Sequence, residues 1–370
     1  MAETVFILGA GASAAMGTPL LANFFDVARK LAAESTEPEF KQALDLFAKA
    51  HVVLQRTATK TRVDLHNLES VWTCLEMTEV LGGIDGLSPA QAREARTALE
   101  TVIANTIGLS TRVRGLPPRS GRGDGRREST GCSVLAPLHY YQFVGSILPL
   151  LDARRASFLT FNYDLGLEMA LEAHSFCMDY ALSEQSMPEA VPVLKLHGSL
   201  NWFQELDAKA TGTAPLRVSR KLLELAFEVG VNDAQAMKEY RRSLHADGSK
   251  PHRERRFIVP PGDSKIGARH DIRTVWSRAA RELREATTLV VIGYSVPPTD
   301  EFFRNLLGLG TISDRLLERV VVIDPSDATR DRVMQLLSPL SMQRFVEVPR
   351  KFQGPLFSGA EWKDALGLGS

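Results

Sequence analysis

The run Val5-Phe6-Ile7-Leu8 passes without a break into Gly9-Ala10-Gly11-Ala12-Ser13-Ala14, and this junction restricts the possible folds more than any other part of the chain. An unbroken apolar tetrapeptide is too short for a helix and lacks the alternation of a half-exposed strand, so it fits a strand buried on both faces. The glycines let the backbone turn sharply, and the small residues after them fit a helix whose free N–H groups face an anion. Similar apolar runs lie at 157–160, 192–196, 257–259, 288–292 and 320–323, with helix-like stretches between them. The expected fold class is therefore α/β: a Rossmann-like, doubly wound, mostly parallel sheet.

The stretch between the first two runs is too long for an ordinary crossover. Its apolar positions fall at helical spacing in "KQALDLFAKAHVVL" and "LHNLESVWTCLEMTEVL". One helix is signposted by Ser88 as N-cap, Pro89 at its first position and Gln91 completing a capping box, with Gly108 where the apolar face ends. The expected organisation is a Rossmann domain over 1–30 and 136–350, carrying a large inserted helical module over 31–135. Within that module, residues 110–131 combine Gly, Pro, Arg and Ser without apolar periodicity and read as a mobile loop. Its arginines read as solvated, because no aromatic residue is interleaved to stack a base. A second insert, charged and helical in pattern, is expected over about 204–255.

The 370 residues carry 44 basic and 44 acidic side chains, so no overall field draws the chain to nucleic acid or to an anionic membrane. The start "MAETVFIL" lacks the features of a secretory leader, and no apolar run approaches the roughly 20 residues that span a bilayer. A cytoplasmic protein with no membrane contact is expected. Cys74, Cys132 and Cys177 form no CxxC pair and read as reduced, structural thiols.

Four further junctions carry polar groups where parallel strands deliver them, at their carboxyl ends. "FLTFNYDLGLEMAL" places Asn162 and Asp164 after an apolar run; alone, they would be turn and cap residues. "VLKLHGSLNWF" places His197 similarly, suited to acid–base work near neutrality or equally to a satisfied turn. "LVVIGYSVPP" offers Gly293 and Ser295, and "VVVIDPSD" offers Asp324, which can accept from ribose hydroxyls or serve as a turn residue. The glycine turn could serve a dehydrogenase, but that site needs an acidic residue at the tip of a second strand about 20 residues on. Here Asp26 lies in "LANFFDVARKLAAE", a helical pattern.

Taken in order, GAGAS, TFNYD, KLHGS, GYS and VVIDP resemble the sirtuin-like domain, in particular its bacterial branch of NAD-consuming antiphage effectors. The resemblance runs from Val5 to about Asp324, and "FIVPPGDSK" resembles a segment of that branch. It implies NAD as substrate. Gly9, Ala10, Gly11 and Ser13 would cradle the pyrophosphate, and Gly293, Ser295 and Asp324 would hold the adenosine side. Asn162 would hold ribose and the attacking water, Asp164 the carboxamide end of nicotinamide, and His197 would act as base.

Two departures separate the chain from deacylating sirtuins. Their Gly-Ile-Pro-Asp-Phe-Arg run reads Gly17-Thr18-Pro19-Leu20-Leu21-Ala22 here, without the charged pair, and three scattered cysteines cannot supply four zinc thiolates. No zinc or other metal is expected. The resemblance implies a hydrolase that cuts NAD to nicotinamide and ADP-ribose, restrained by homo-oligomerisation or by a partner such as a hexameric ATPase. The competing readings are an NAD or ADP-ribose sensor that does not cut, and ADP-ribosyl or deacyl transfer.

Overall fold

The computed structural model describes residues 3–56, 63–116, 134–185, 187–205, 216–218, 254–259, 272–297, 300–312 and 315–368. Most of the expected loop at 110–131, most of the charged insert at 204–255, and Cys132 lie outside these residues.

The strands, in chain order, are β1 (Thr4–Leu8), β2 (Arg114–Leu116), β3 (Val134–Ala136), β4 (Ala156–Thr160), β5 (Met178–Asp179), β6 (Val191–Lys195), β7 (Gly198–Glu205), β8 (Leu216–Val218), β9 (Glu254–Ile258), β10 (Thr288–Ile292), β11 (Arg319–Ile323) and β12 (Phe345–Val348). Seven of them form one sheet in the order β12-β11-β10-β1-β4-β6-β5, with every neighbouring pair parallel. Alternate residues of one strand feed opposite faces. Phe6 and Leu8 pack with Phe143, Phe158 and Trp362 on one side, whereas Val5 and Ile7 pack with Leu159, Leu289 and Phe303 on the other.

Helices cover both faces. Leu138–Ser146, Gly166–Ala173 and Ala360–Leu366 supply the first layer; Arg273–Glu285, Glu301–Gly310 and Asp327–Met334 supply the second. Each fully buried Phe or Leu in these layers contributes roughly 1.5–3 kcal/mol. The doubly wound α/β class follows directly from this layering.

Four helices between β1 and β2, Phe24–Glu34, Pro38–Leu54, Leu68–Val80 and Pro89–Ser110, are built around a third apolar cluster. The first of them runs across residue 30. The capping box forms: Ser88 N–H donates to Gln91 Oε1 at 2.9 Å, and Gln91 N–H to Ser88 Oγ at 3.3 Å. Gly108 does not follow the helix but lies inside its last turn, which continues to Ser110. The hydroxyls of Ser110 and Thr111 both donate to the Ile107 carbonyl, so the last turn ends without a glycine.

The run at 257–259 corrects the expected parallel set. Phe257 and Ile258 belong to β9, which pairs antiparallel with β7 in a separate sheet of β8, β7 and β9. The cause is local. Gly198 at φ +82° turns the chain immediately after β6, and a Cβ there would meet the Phe257 carbonyl oxygen at 2.3 Å. Two strands that expectation missed, β5 and β12, close the edges of the parallel sheet.

Candidate functional site

From β1 the chain adds β4, the edge strand β5 and then β6 between them on one side, and returns to add β10, β11 and β12 on the other. The reversal opens a crevice at the carboxyl ends of β1 and its neighbours, where open α/β sheets hold ligands. A cavity of about 690 Å³ fills that position. Read along the sheet, the neighbouring strand ends deliver Asp324 after β11, Gly293 and Ser295 after β10, the glycine turn after β1, Asn162 and Asp164 after β4, and His197 after β6. All of these residues border the cavity except Gly9.

The polar centre is a closed hydrogen-bond network. Asn162 Nδ2 donates to the Gly9 carbonyl at 2.8 Å and to Ser13 Oγ at 3.0 Å. A carbonyl only accepts, so the amide is oriented with its nitrogen toward the turn. Asn162 Oδ1 then has no partner among the described residues and is the acceptor available to a hydroxyl or water in the cavity.

Ser13 Oγ donates to Asp164 Oδ2 at 2.7 Å, and Asp164 Oδ1 accepts from the Gly166 N–H. The single proton of Ser13 is thereby used, so Tyr140, 3.0 Å away, must donate to it. With one donation and two acceptances the Ser13 hydroxyl is saturated inside the protein. Its side chain serves the Asn162–Asp164 pair.

The environment of this network is dry. Burial pushes the Tyr140 hydroxyl well above its ordinary value, and the nearby Asp164 charge adds to the shift. Burial likewise lowers His139 to about 4, leaving a neutral ring whose Nε2–H donates to the Ala12 carbonyl at 3.0 Å. Thr18 closes the turn by donating to the Ser13 carbonyl at 2.7 Å.

His197 is buried at the end of β6, with the Phe161 ring edge-on at 5.1 Å. Phe161 in turn stacks on Tyr294 at 4.3 Å, so an aromatic floor joins the β4 and β10 ends. Gly198 beside His197 is filled by β9, and the His197 carbonyl accepts from Val259 N–H at 2.8 Å. The space beside this histidine therefore belongs to protein packing, contrary to the roomy turn that a His-Gly pair suggests.

The other half of the cavity is built from backbone. Gly11 N–H donates to the Gly293 carbonyl at 2.8 Å. Gly293 sits at φ +55°, and a Cβ there would lie 2.3 Å from Ala12 N; a Cβ on Gly9 would lie 2.5 Å from Tyr294 Cα. The glycines are thus required where two turns interlock, before any ligand is considered. Ser295 is exposed, and its carbonyl accepts from Arg332. Asp324 Oδ1 accepts from Ser326 N–H at 2.8 Å, while partial burial raises its carboxyl above the ordinary Asp value.

Several lining residues were not legible in the sequence. Glu69 and Ile103 come from the helices between β1 and β4, so that helical stretch forms a wall of the cavity. Arg350, Lys351 and Gln353 follow β12, whose "FVEV" pattern was the available signal. Tyr140, buried behind the lining, has no motif; only a charge-free helix facing the sheet points to it. Among the described residues, no group of three His, Cys, Asp or Glu side chains could hold a metal, and no helix is long and apolar enough to cross a membrane.

No family model and no curated protein matches the chain. Among solved structures it matches a Sir2 homologue–NAD complex at 14% identity, covering 99% of this chain and 90% of that chain with a TM-score of 0.39. It also matches a Sir2 homologue mutant bound to ADP-ribose (14% identity, 99% and 94% covered, TM-score 0.40) and a complex of Sir2 with p53 peptide and NAD+ (11% identity, 94% and 88% covered, TM-score 0.39).

Proposed function

We propose that the chain is an NAD glycohydrolase that cuts the nicotinamide–ribose bond to give nicotinamide and ADP-ribose. The observation carrying this reading is the convergence of Asn162, its amide nitrogen pinned by Gly9 and Ser13, with His197 on one cavity at the ends of the neighbouring strands β4 and β6. A site for holding alone needs neither. The ordered motif resemblance supplies the identity of the substrate.

In this mechanism nicotinamide leaves as a neutral molecule from a cationic ring, so the transition state is oxocarbenium-like and needs little general acid. The C–N bond breaks with its electron pair going to nicotinamide. Water attacks the ribosyl carbon and yields its proton to His197, help worth about 10²–10⁴-fold. Asn162 Oδ1 accepts from the ribose hydroxyl or the water and orients it. Asp164 meets the carboxamide end. The turn backbone at Ala10 and Gly11 faces the pyrophosphate, with Gly293, Ser295 and Asp324 toward adenosine.

An unrestrained enzyme of this kind would drain its own cell of NAD. The reading therefore includes a gate, with a helical module over 31–135 and the insert at 204–255 as its surfaces. Homo-oligomerisation or a partner such as a hexameric ATPase would hold that gate, and its release would deplete NAD in antiphage defence.

The test is incubation with NAD, with and without candidate partners, following nicotinamide and ADP-ribose for wild type, Asn162→Ala and His197→Ala. Stoichiometric release of both products, lost in both variants, is expected. Tight NAD binding without turnover under every condition would replace the hydrolase with a sensor. A monomer fully active on its own would remove the gate.

A further inference from the structure

Lys195 is the last residue of β6, two positions before His197, and only 1% of it is exposed. A buried ammonium is costly unless it is paired and its donors are used. All three of its donor directions are taken: Nζ donates to the Tyr163 carbonyl at 3.5 Å, to the Asp164 carbonyl, and to Glu168 Oε1 at 2.7 Å. Two of these acceptors belong to the backbone of the Asn162-Tyr163-Asp164 turn. The third, Glu168, lies on the helix Gly166–Ala173 that this turn starts.

The Tyr163 carbonyl has other donors, the Leu200 N–H at 3.0 Å and Ser199 Oγ at 3.5 Å. The Asp164 carbonyl is different. Lys195 is the donor that the structure gives it. The register Thr160↔Lys195 sets the lysine beside the last residue of β4, so its side chain reaches forward under the turn.

We propose that Lys195 is a positioning residue: a buried cation that clamps the carbonyls of Tyr163 and Asp164 and so fixes the Asn162 and Asp164 side chains relative to His197. The clamp joins the two strand ends that carry the chemistry, and it rests on the hydrolase reading only for its kinetic consequence. Burial raises the Glu168 carboxyl and the Lys195 charge beside it opposes the rise, consistent with Glu168 acting as the counter-charge.

The clamp and a plain charge pair give different results. Lys195→Met alone strands a buried carboxylate and is expected to fold poorly. Lys195→Met combined with Glu168→Leu removes both charges and is expected to melt close to wild type, since apolar replacement of a buried pair is often neutral or better. In that double variant kcat for nicotinamide release should fall about 100-fold, the scale of a misplacement of about 1 Å, with KM changed less than about threefold. Glu168→Gln keeps an acceptor for Nζ and leaves the amine on both carbonyls; it removes the counter-charge and should lower Tm, but the folded protein should keep kcat within about threefold. Hydrogen exchange over residues 160–168 should speed up at least about tenfold in the double variant and not in Glu168→Gln.

A folded double variant with wild-type kcat and exchange would overturn the clamp, as would Glu168→Gln losing as much as the double variant. If wild type turns over no NAD, the hydrolase reading fails on its own, and the exchange measurement still decides the clamp.

Discussion

The two halves of the cavity are built on opposite plans. At the β4 and β6 ends, side chains do the work: Asn162, Asp164 and Tyr140 together saturate the Ser13 hydroxyl, and Lys195 ties down the backbone beneath them. At the β10 and β11 ends the backbone does it, with two glycine turns interlocked and the exposed Ser295 and half-buried Asp324 at the rim. A preorganised polar cluster suits a step in which geometry must not change, whereas a backbone rim suits retention of a ligand's anionic and hydroxyl groups. Under the proposed hydrolase reading, the first half would cut and the second would hold.

Substitutions can break this division. The largest effect is expected for His197→Ala: nicotinamide release should fall about 10²–10⁴-fold while ADP-ribose binding, measured by calorimetry, changes little. Next comes Gly293→Ala in the holding half. A Cβ at φ +55° against Ala12 should cost about 2–3 kcal/mol of stability, seen as a lower Tm, together with weaker binding.

Tyr140→Phe keeps the ring among Phe143 and Phe352 and removes only the hydroxyl that donates to Ser13. A loss of about 1 kcal/mol in stability is expected, with an accompanying fall in kcat and unchanged KM. Loss of binding rather than turnover would move Ser13 to the holding half.

The smallest effect is expected at Asp324, through pH. Its ionised carboxylate is the better acceptor for ribose hydroxyls, so affinity is full above its pKa and lost as pH falls through it. Because burial raises that pKa, the loss should begin at higher pH than for an ordinary aspartate. Asp324→Asn should bind a few-fold more weakly at neutral pH and show no such acid dependence. Identical acid profiles for the two proteins would exclude Asp324 from ligand contact.

The contrast between the halves also explains what could be read beforehand. Buried parallel strands announce themselves as unbroken apolar runs, so β1, β4, β6, β10 and β11, and the junctions after them, were visible in the residues. The run at 257–259 looked the same but joined another sheet, because it pairs antiparallel with β7, about 55 residues earlier in the chain, a long-range pairing that no local pattern encodes. Glycines at positions 9, 11 and 293 were read as room for a ligand; the geometry shows them demanded by each other's backbones. The resemblance puts Ser13 in the pyrophosphate cradle, whereas its hydrogen-bond partners Tyr140 and Asp164 lie more than a hundred positions away and are invisible to a local pattern. Tyr140 and Lys195 were missed for the same reason, since their roles exist only once the strands are aligned.

The measurement that bears most directly on the division is a paired one on Asn162→Ala: the rate of nicotinamide release from NAD and the affinity for ADP-ribose. Asn162 holds the Gly9 turn as well as facing the cavity, so it sits on the line between the halves. The account predicts that turnover falls at least about 100-fold while ADP-ribose affinity stays within about threefold of wild type. Equal losses in both, or turnover that survives, would contradict it.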